Sequence, residues 1–302
     1  MNKLHRRLAI CVIGGAVAAS SIAWAQTYTT VDYPGAVLTE LIGGPNPQGT
    51  SVGGYTFTAG GALHGFTVRG GVFTPFDPPG STFTTANFIN PRGDIVGAYV
   101  DAGGVSHGFV LSGGSYTTVD YPGAAGTELS SVNPSGEMSG ATCSDPACGD
   151  FGATNVTHSF LVSKKGVFSA TFDPPGAASS TSSVVIPSGA VVGAYTDLSG
   201  TTCSTQCQGY MLFHGKYATI NYPGSSFTFA GGANAPGDIV GIYTDSAGNG
   251  HGFLFNGAYT SFDYPGAVFT EATGINPAGI IVGLYANPTD PAGVAHGFIR
   301  TP

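Results

Sequence analysis

Three glutamates follow a threonine at matching places along the chain, Glu40 and Glu128 in Thr-Glu-Leu and Glu271 in Thr-Glu-Ala. Carboxylates gathered at one place could bind a cation, or divide the roles of acid and base in attack on a sugar or an ester. Their bland alternative is a solvated rim, the usual setting of a long charged side chain. Asp101 and Asp245, with Asp197, stand in Tyr-x-Asp-x-x-Gly segments. Such aspartates cap turns with their own side chains, and acidic loops sharing one face could also hold Ca²⁺ through oxygen ligands. None of these segments has the spacing of an EF-hand, so no cofactor is assigned, and Ca²⁺ stays the minor alternative to a turn cap.

Histidine and aspartate recur together. His64, His107, His158, His251 and His296 each stand two residues before a Phe, and Asp32, Asp77, Asp120, Asp173 and Asp263 each open an Asp-x-Pro-Gly element, with Asn221 in the fifth place. A residue needed once in every unit serves the unit, whereas a catalytic site needs an asymmetric cluster. Imidazoles from separate units would also be too widely spaced for one ion with bonds of about 2 Å. These His and Asp are therefore expected to bond within their own units and to be structural. Cys143 and Cys148, in CSDPAC, and Cys203 and Cys207, in CSTQC, make an even set. In an exported protein that favours disulfides, local or between the two loops, over a zinc site, since neither spacing is C-x₂-C. No nucleophile elbow, His-Glu-x-x-His, Walker loop or Rossmann glycine pattern occurs.

The elements that position these residues follow from the repeat. Asp-x-Pro-Gly, with Asn in the fifth copy, returns every 42 to 53 residues, a period typical of propellers and repeat arrays. Within a unit, short β-branched and aromatic runs are separated by Asn-Pro-x-Gly or Gly-Gly turns, and no 3.6-residue apolar period lasts. Each unit reads as a four-stranded meander, strands a to d, with His opening strand c and Asp near the end of strand d. Six meanders around an axis predict an all-β fold, a six-bladed β-propeller of about 43-residue repeats. The first unit begins with a lone d strand, YTTVDYPG, and the last ends after strand c, HGFIRTP. The N-terminal strand is therefore expected to join the C-terminal blade and close the ring. Strand a should be innermost, which places the three Glu at the mouth of the central channel.

Residues 1–25 read as a secretory signal peptide, with a basic start, MNKLHRR, an apolar run too short to span a bilayer, and an A-x-A site ending at Ala25. Residues 26–302 then form one six-repeat domain, secreted or periplasmic, with no later membrane segment. Nine Lys and Arg face 17 Asp and Glu, and three of the nine lie in the leader. So acidic a chain is a poor partner for nucleic acid, which needs a basic surface. A monomer is expected.

The segments GINPAGIIVGLY, AHGFI and FINPRGDIVGAYVDAGGVSHGFV resemble the HAF family of bacterial extracellular repeats, whose units carry Asn-x-x-Gly-x-(Ile/Val)-Val-Gly followed by His-Ala-Phe. Here the triplet is His-Gly-Phe, becomes His-Ser-Phe at 158–160, and is replaced by Gln208-Gly209-Tyr210 in the fourth unit. The resemblance implies an exported repeat protein and brings no catalytic residues. The function expected is a non-catalytic binding or scaffolding module, with carbohydrate or another cell-envelope polymer as the ligand class. Its alternatives are an exported hydrolase or lyase using carboxylates at the channel mouth, and a purely structural surface protein.

Overall fold

The computed structural model describes residues 26–148, 155–197 and 206–302; the leader expected over residues 1–25 lies outside them. Strand β1 (Thr27–Val31) stands apart from the strands that follow it in sequence. The first blade is β2 (Leu38–Gly43), β3 (Thr50–Thr56), β4 (His64–Arg69) and β5 (Val72–Phe76). The second is β6 (Phe83–Ile89), β7 (Ile95–Val100), β8 (Ser106–Ser112) and β9 (Ser115–Val119). The third has β10 (Gly126–Val132), β11 (Met138–Cys143) and β12 (Thr157–Val162). The fourth has β13 (Ser179–Val185), β14 (Val191–Thr196), β15 (Gln208–Phe213) and β16 (Lys216–Ile220), and the fifth β17 (Thr228–Ala233), β18 (Ile239–Thr244), β19 (Gly250–Phe255) and β20 (Tyr259–Phe262). The sixth combines β21 (Phe269–Ile275), β22 (Ile281–Ala286) and β23 (His296–Thr301) with β1, which pairs antiparallel to β23 from Thr27 opposite Thr301 to Val31 opposite Gly297. The fold is a six-bladed β-propeller, closed as the ends of the repeat predict.

A single packing feature recurs in every blade. The innermost strand carries a β-bulge, at Ile42, Asn87, Ser130, Ser183, Gly231 and Thr273. Opposite it the second strand has a glycine: Gly53, Gly97, Gly140, Gly193, Gly241 and Gly283. A Cβ at any of these would lie 1.8–2.2 Å from a carbonyl oxygen of the bulged strand, far inside contact distance. The Val-Gly and Ser-Gly pairs of the sequence are therefore set by the bulge. On the other side of the glycine sits the large side chain of the third strand: Phe66, Phe109, Phe160, Tyr210, Phe253 or Phe298, none more than 1% exposed. Four of these Phe lie in buried clusters with a valine of the preceding blade, Phe109 with Val52, Phe160 with Val96, Phe253 with Val192 and Phe298 with Val240. Phe66 closes the circle with Val282 of the sixth blade. Blade-to-blade cohesion is thus mainly apolar burial.

The third blade departs from four strands. Its outer segment makes only isolated bridges, Phe168 to Val162 and Phe172 to Ser159. The Ser169 hydroxyl takes a ladder position there by accepting the Leu161 N–H. His158 and Asp173 are 15 residues apart, against 13 in the first two blades, and the longer connection cannot keep a continuous register. The interface with the fourth blade is also polar, with Ser139 where other blades have valine, and Tyr210 bonding Ser159 through its hydroxyl.

Two outcomes are expected. Deleting residues 26–36 should lower the melting temperature by roughly 6–12 °C, about 3 kcal/mol on a chain of this size, and expose the β23 edge to association; calorimetry and light scattering would detect both, and an unchanged melting temperature in a monomer would reject strand closure. Gly97→Ala should cost about 3 kcal/mol or more, as overpacking against backbone does, measured by urea unfolding.

Candidate functional site

The six innermost strands enclose a central channel, a cavity of about 660 Å³. Glu40, Thr85, Glu128, Thr181, Phe229 and Glu271 occupy the same register position in their blades and all line it. The bulge residues form the next ring toward the Asn-Pro-x-Gly turns. At that far end the channel narrows into a separate space of about 130 Å³ bounded by the turns themselves. Asn side chains knit this end together: Asn46 Nδ2 donates to the Asn90 carbonyl, Asn234 to that of Asn276, and Asn276 to that of Pro45. The wider mouth opens on the opposite face, where Ala147 and Cys148 reach the lining.

Each channel glutamate is half-buried, since its lumen side is open, yet protein encircles it on every other side. That enclosure pushes all three carboxyls up to about 7. Glu271 is raised further by the charge of Glu40 in the adjacent blade, whereas Glu128 lies two blades from Glu40 on the other side. At neutral pH these groups share their time between a hydrogen-bond-donating acid and an accepting carboxylate. The threonine before each glutamate has a separate task. Thr39, Thr127 and Thr270 accept, through Oγ1, the backbone N–H of Tyr33, Tyr121 and Tyr264, which fixes the corner between blades.

The His and Asp of the repeat meet within blades. Imidazole Nδ1 lies 2.8–3.0 Å from a carboxylate oxygen in His64–Asp77, His107–Asp120, His158–Asp173, His251–Asp263 and His296–Asp32. In the fourth blade Gln208 and Asn221 bond instead, with Asn221 Nδ2 donating to Gln208 Oε1. Asp101 and Asp245, considered above as ligand-binding candidates, have their oxygens engaged. Asp101 Oδ1 accepts the N–H groups of Gly103 and Val105, and Asp245 Oδ1 those of Ala247 and Asn249. Their Oδ2 atoms face His107 Nε2 and His251 Nε2 at 3.4 and 3.3 Å. The Val105 amide foremost holds the Asp101 carboxyl below its usual range, and the Asn249 side chain does so for Asp245. Burial disfavours the charged His251 imidazole, but the hydrogen bonds it donates to the Asp263 and Asp245 carboxylates, with their negative charge, outweigh it and raise the group.

Asp290 is a partner the sequence reading missed, 3.4 Å from His296 Nε2. Its signal was present: Asp101, Asp245 and Asp290 each precede a histidine by six residues. Cys143 and Cys148 form a local disulfide, and the Pro146 carbonyl of that loop accepts the Ser106 N–H of the second blade. Cys207 is disulfide-bonded, while Cys203 lies outside the described residues. Among the described residues no group of three His, Cys, Asp or Glu is placed to hold a metal ion, and no helix is long and apolar enough to cross a membrane.

The sequence matches no family model and no curated protein. Among solved structures the chain is similar to the lectin of Aleuria aurantia, described as a six-bladed β-propeller with a novel mode of fucose recognition. The TM-score is 0.50 at 11% identity, over 87% of this chain and 91% of that one. It is similar also to TolB from Acinetobacter baumannii, with TM-score 0.52 and 14% identity over 83% of this chain and 63% of that one. A third likeness is to an acylaminoacyl peptidase from Pyrococcus horikoshii, with TM-score 0.50 and 12% identity over 82% of this chain and 43% of that one. At such identities the likeness is one of fold.

The raised carboxyls dictate a pH dependence. A carboxyl whose folded value lies above its unfolded 4.5 binds more protons when folded, so stability falls as pH rises from about 4.5 to 7 and beyond. The raised His251 acts in the same direction, its contribution being lost as pH rises above 6.5. Changing Glu40, Glu128 and Glu271 together to Gln should therefore raise the melting temperature at pH 8 by about 2 °C or more and leave it nearly unchanged at pH 4. An equal effect at both pH values would show that the carboxyls are fully hydrated in the channel.

Proposed function

We propose that the protein is an exported binding module whose ligand, a carbohydrate or related cell-envelope polymer, enters the central channel from its wider mouth. The observation that carries this reading is one ring of six equivalent positions holding Glu40, Thr85, Glu128, Thr181, Phe229 and Glu271. Blades that repeat the same glycine, aromatic core and corner bond vary in acid, hydroxyl and ring where side chains face the lumen. The scaffold does not require that variety, and binding residues are what a rigid scaffold typically carries. Carboxyls near 7 beside threonine hydroxyls both donate to and accept from vicinal hydroxyls, and Phe229 offers an apolar face to sugar C–H groups. Export is supported by the leader-like first 25 residues and by the disulfide. The similarity in fold to a fucose-recognising lectin supports the ligand class at the level of architecture alone.

A second reading rests on the adjacent pair Glu40 and Glu271. Two interacting carboxyls at about 7 can exchange roles as proton donor and acceptor, as an exported glycoside hydrolase or lyase would require.

Calorimetric titration of the mature protein with neutral and uronic oligosaccharides and with bacterial envelope polysaccharide would test both. Binding is expected, weakened about tenfold or more in Glu40→Gln/Glu271→Gln, as loss of one or two hydrogen bonds implies, with no loss of melting temperature. Saccharides that fail to bind, or that bind the double variant equally well, would sink the channel reading. Saccharide cleavage abolished in that variant would replace it with the enzymatic one.

A further inference from the structure

The six blades form an internal comparison series, and the third breaks a pattern the others keep. In five blades the second strand places a tyrosine opposite the histidine or its substitute: Tyr55, Tyr99, Tyr195, Tyr243 and Tyr285, facing His64, His107, Gln208, His251 and His296. The phenol rings lie 5.1–5.5 Å from the imidazoles where both are present. Where the preceding corner also carries a tyrosine, the two rings stack face to face at 3.6 Å, Tyr33 on Tyr55, Tyr222 on Tyr243 and Tyr264 on Tyr285. The hydroxyls of Tyr99, Tyr243 and Tyr285 bond Thr118, Ser261 and Thr30 of the outer strand.

In the third blade the residue opposite His158 is Thr142. The corner tyrosine, Tyr121, is nevertheless kept, held by the same bond from its N–H to Thr127 that fixes Tyr33 and Tyr264. It also rests on Phe160 and Phe168 as Tyr33 rests on Phe66 and Phe73. The tyrosine that stacks on it in the equivalent blades is replaced by Thr142. In the vacated space is a pocket of about 370 Å³ lined by Tyr121, Pro122, Thr142, Val156, His158 and Thr171 among others.

Two polar groups are left over by the same substitution. Thr171 occupies the position of Thr118 and Ser261, and it has no tyrosine hydroxyl to bond. His158 bonds Asp173 through Nδ1 at 2.8 Å. In the second, fifth and sixth blades a loop aspartate faces Nε2; among the described residues none faces that of His158. In the neutral imidazole with Nδ1–H donated to the carboxylate, Nε2 is the ring's hydrogen-bond acceptor. The described walls carry no Lys, Arg, Asp or Glu.

We infer that this pocket is a second ligand site, which takes a pyranose ring stacked on Tyr121 in place of the missing tyrosine, with its hydroxyls on His158 Nε2 and Thr171 Oγ1. A ring with a C–H face and hydroxyls on more than one edge matches an aromatic floor and two polar groups, one on β12 and one on the outer segment. A simple phenol fills the stacking position but leaves one of the two groups unpaired. The site shares its ligand class with the channel and none of the channel's residues.

Saturation-transfer NMR and titration of the full mature, disulfide-intact protein with methyl α-L-fucopyranoside, methyl β-D-glucopyranoside and p-cresol provide the test. In the Glu40→Gln/Glu271→Gln background, where channel binding is weakened, at least one methyl pyranoside is expected still to bind at this pocket, so failure here and failure of the channel are separable. Thr142→Tyr restores the residue found in five blades and should reduce that binding more than tenfold while raising the melting temperature. Thr171→Val, at an exposed position, should weaken binding several-fold with no change in melting temperature, and decides the matter if Thr142→Tyr misfolds. Absence of pyranoside binding, undiminished binding in these variants, or binding of p-cresol alone would overturn the proposal.

Discussion

The structure depends on one steric fit, repeated in every blade: a bulged inner strand whose carbonyl oxygen occupies the place where the facing residue would carry a Cβ. Only glycine allows it, as the 1.8–2.2 Å separations at Gly53, Gly97, Gly140, Gly193, Gly241 and Gly283 show. The bulge bends the inner strand and places Ile42, Asn87, Ser130, Ser183, Gly231 and Thr273 in the channel wall. The space on the far side of the glycine is filled by the buried aromatic ring, five of the six being Phe clustered with the preceding blade's valine. Backbone geometry, channel lining and blade cohesion are therefore a single device.

A second device holds the outer part of each blade. The His and Asp pair ties the start of the third strand to the corner after the fourth, and in three blades a loop aspartate grips the other face of the imidazole. Where Gln208 and Asn221 stand in, Tyr195 donates its hydroxyl to Gln208 Oε1 and the Gln208 amide donates to Asp197. A neutral pair meets the same geometric need, so the charge of the ion pair is dispensable and its hydrogen bonding is not. Half-exposed pairs of this kind add modestly to stability. Their effect is to fix where the corners and loops lie.

With the scaffold so determined, chemistry is free to differ between blades, and it does so in two places. One is the channel ring, where acids, hydroxyls and a phenyl group share equivalent positions. The other is the third blade, where a longer outer connection, the Cys143–Cys148 loop and the exchange of tyrosine for Thr142 occur together. Departure from symmetry in a repeat protein is informative because its neighbours show what the unmodified position would contain.

The repeat spacing, the turn residues and the permuted ends were enough to read the six blades, their strand order and the closure by the N-terminal YTTVDYPG segment from the sequence, because these are local or periodic properties of the chain. The Thr-Glu signature and the once-per-unit histidines were equally visible, as was the inward position of the first strand. The raised carboxyls were not visible, since enclosure by six strands distant in sequence sets their solvation. Nor was the engagement of Asp101 and Asp245 by their own loops and histidines, which depends on a few tenths of an ångström in loop geometry. The vacancy beside Tyr121 is legible only once the blades are superposed. A threonine in a β-branched run reads as an ordinary strand residue until tertiary packing places it beside a corner ring that in three other blades stacks on a tyrosine.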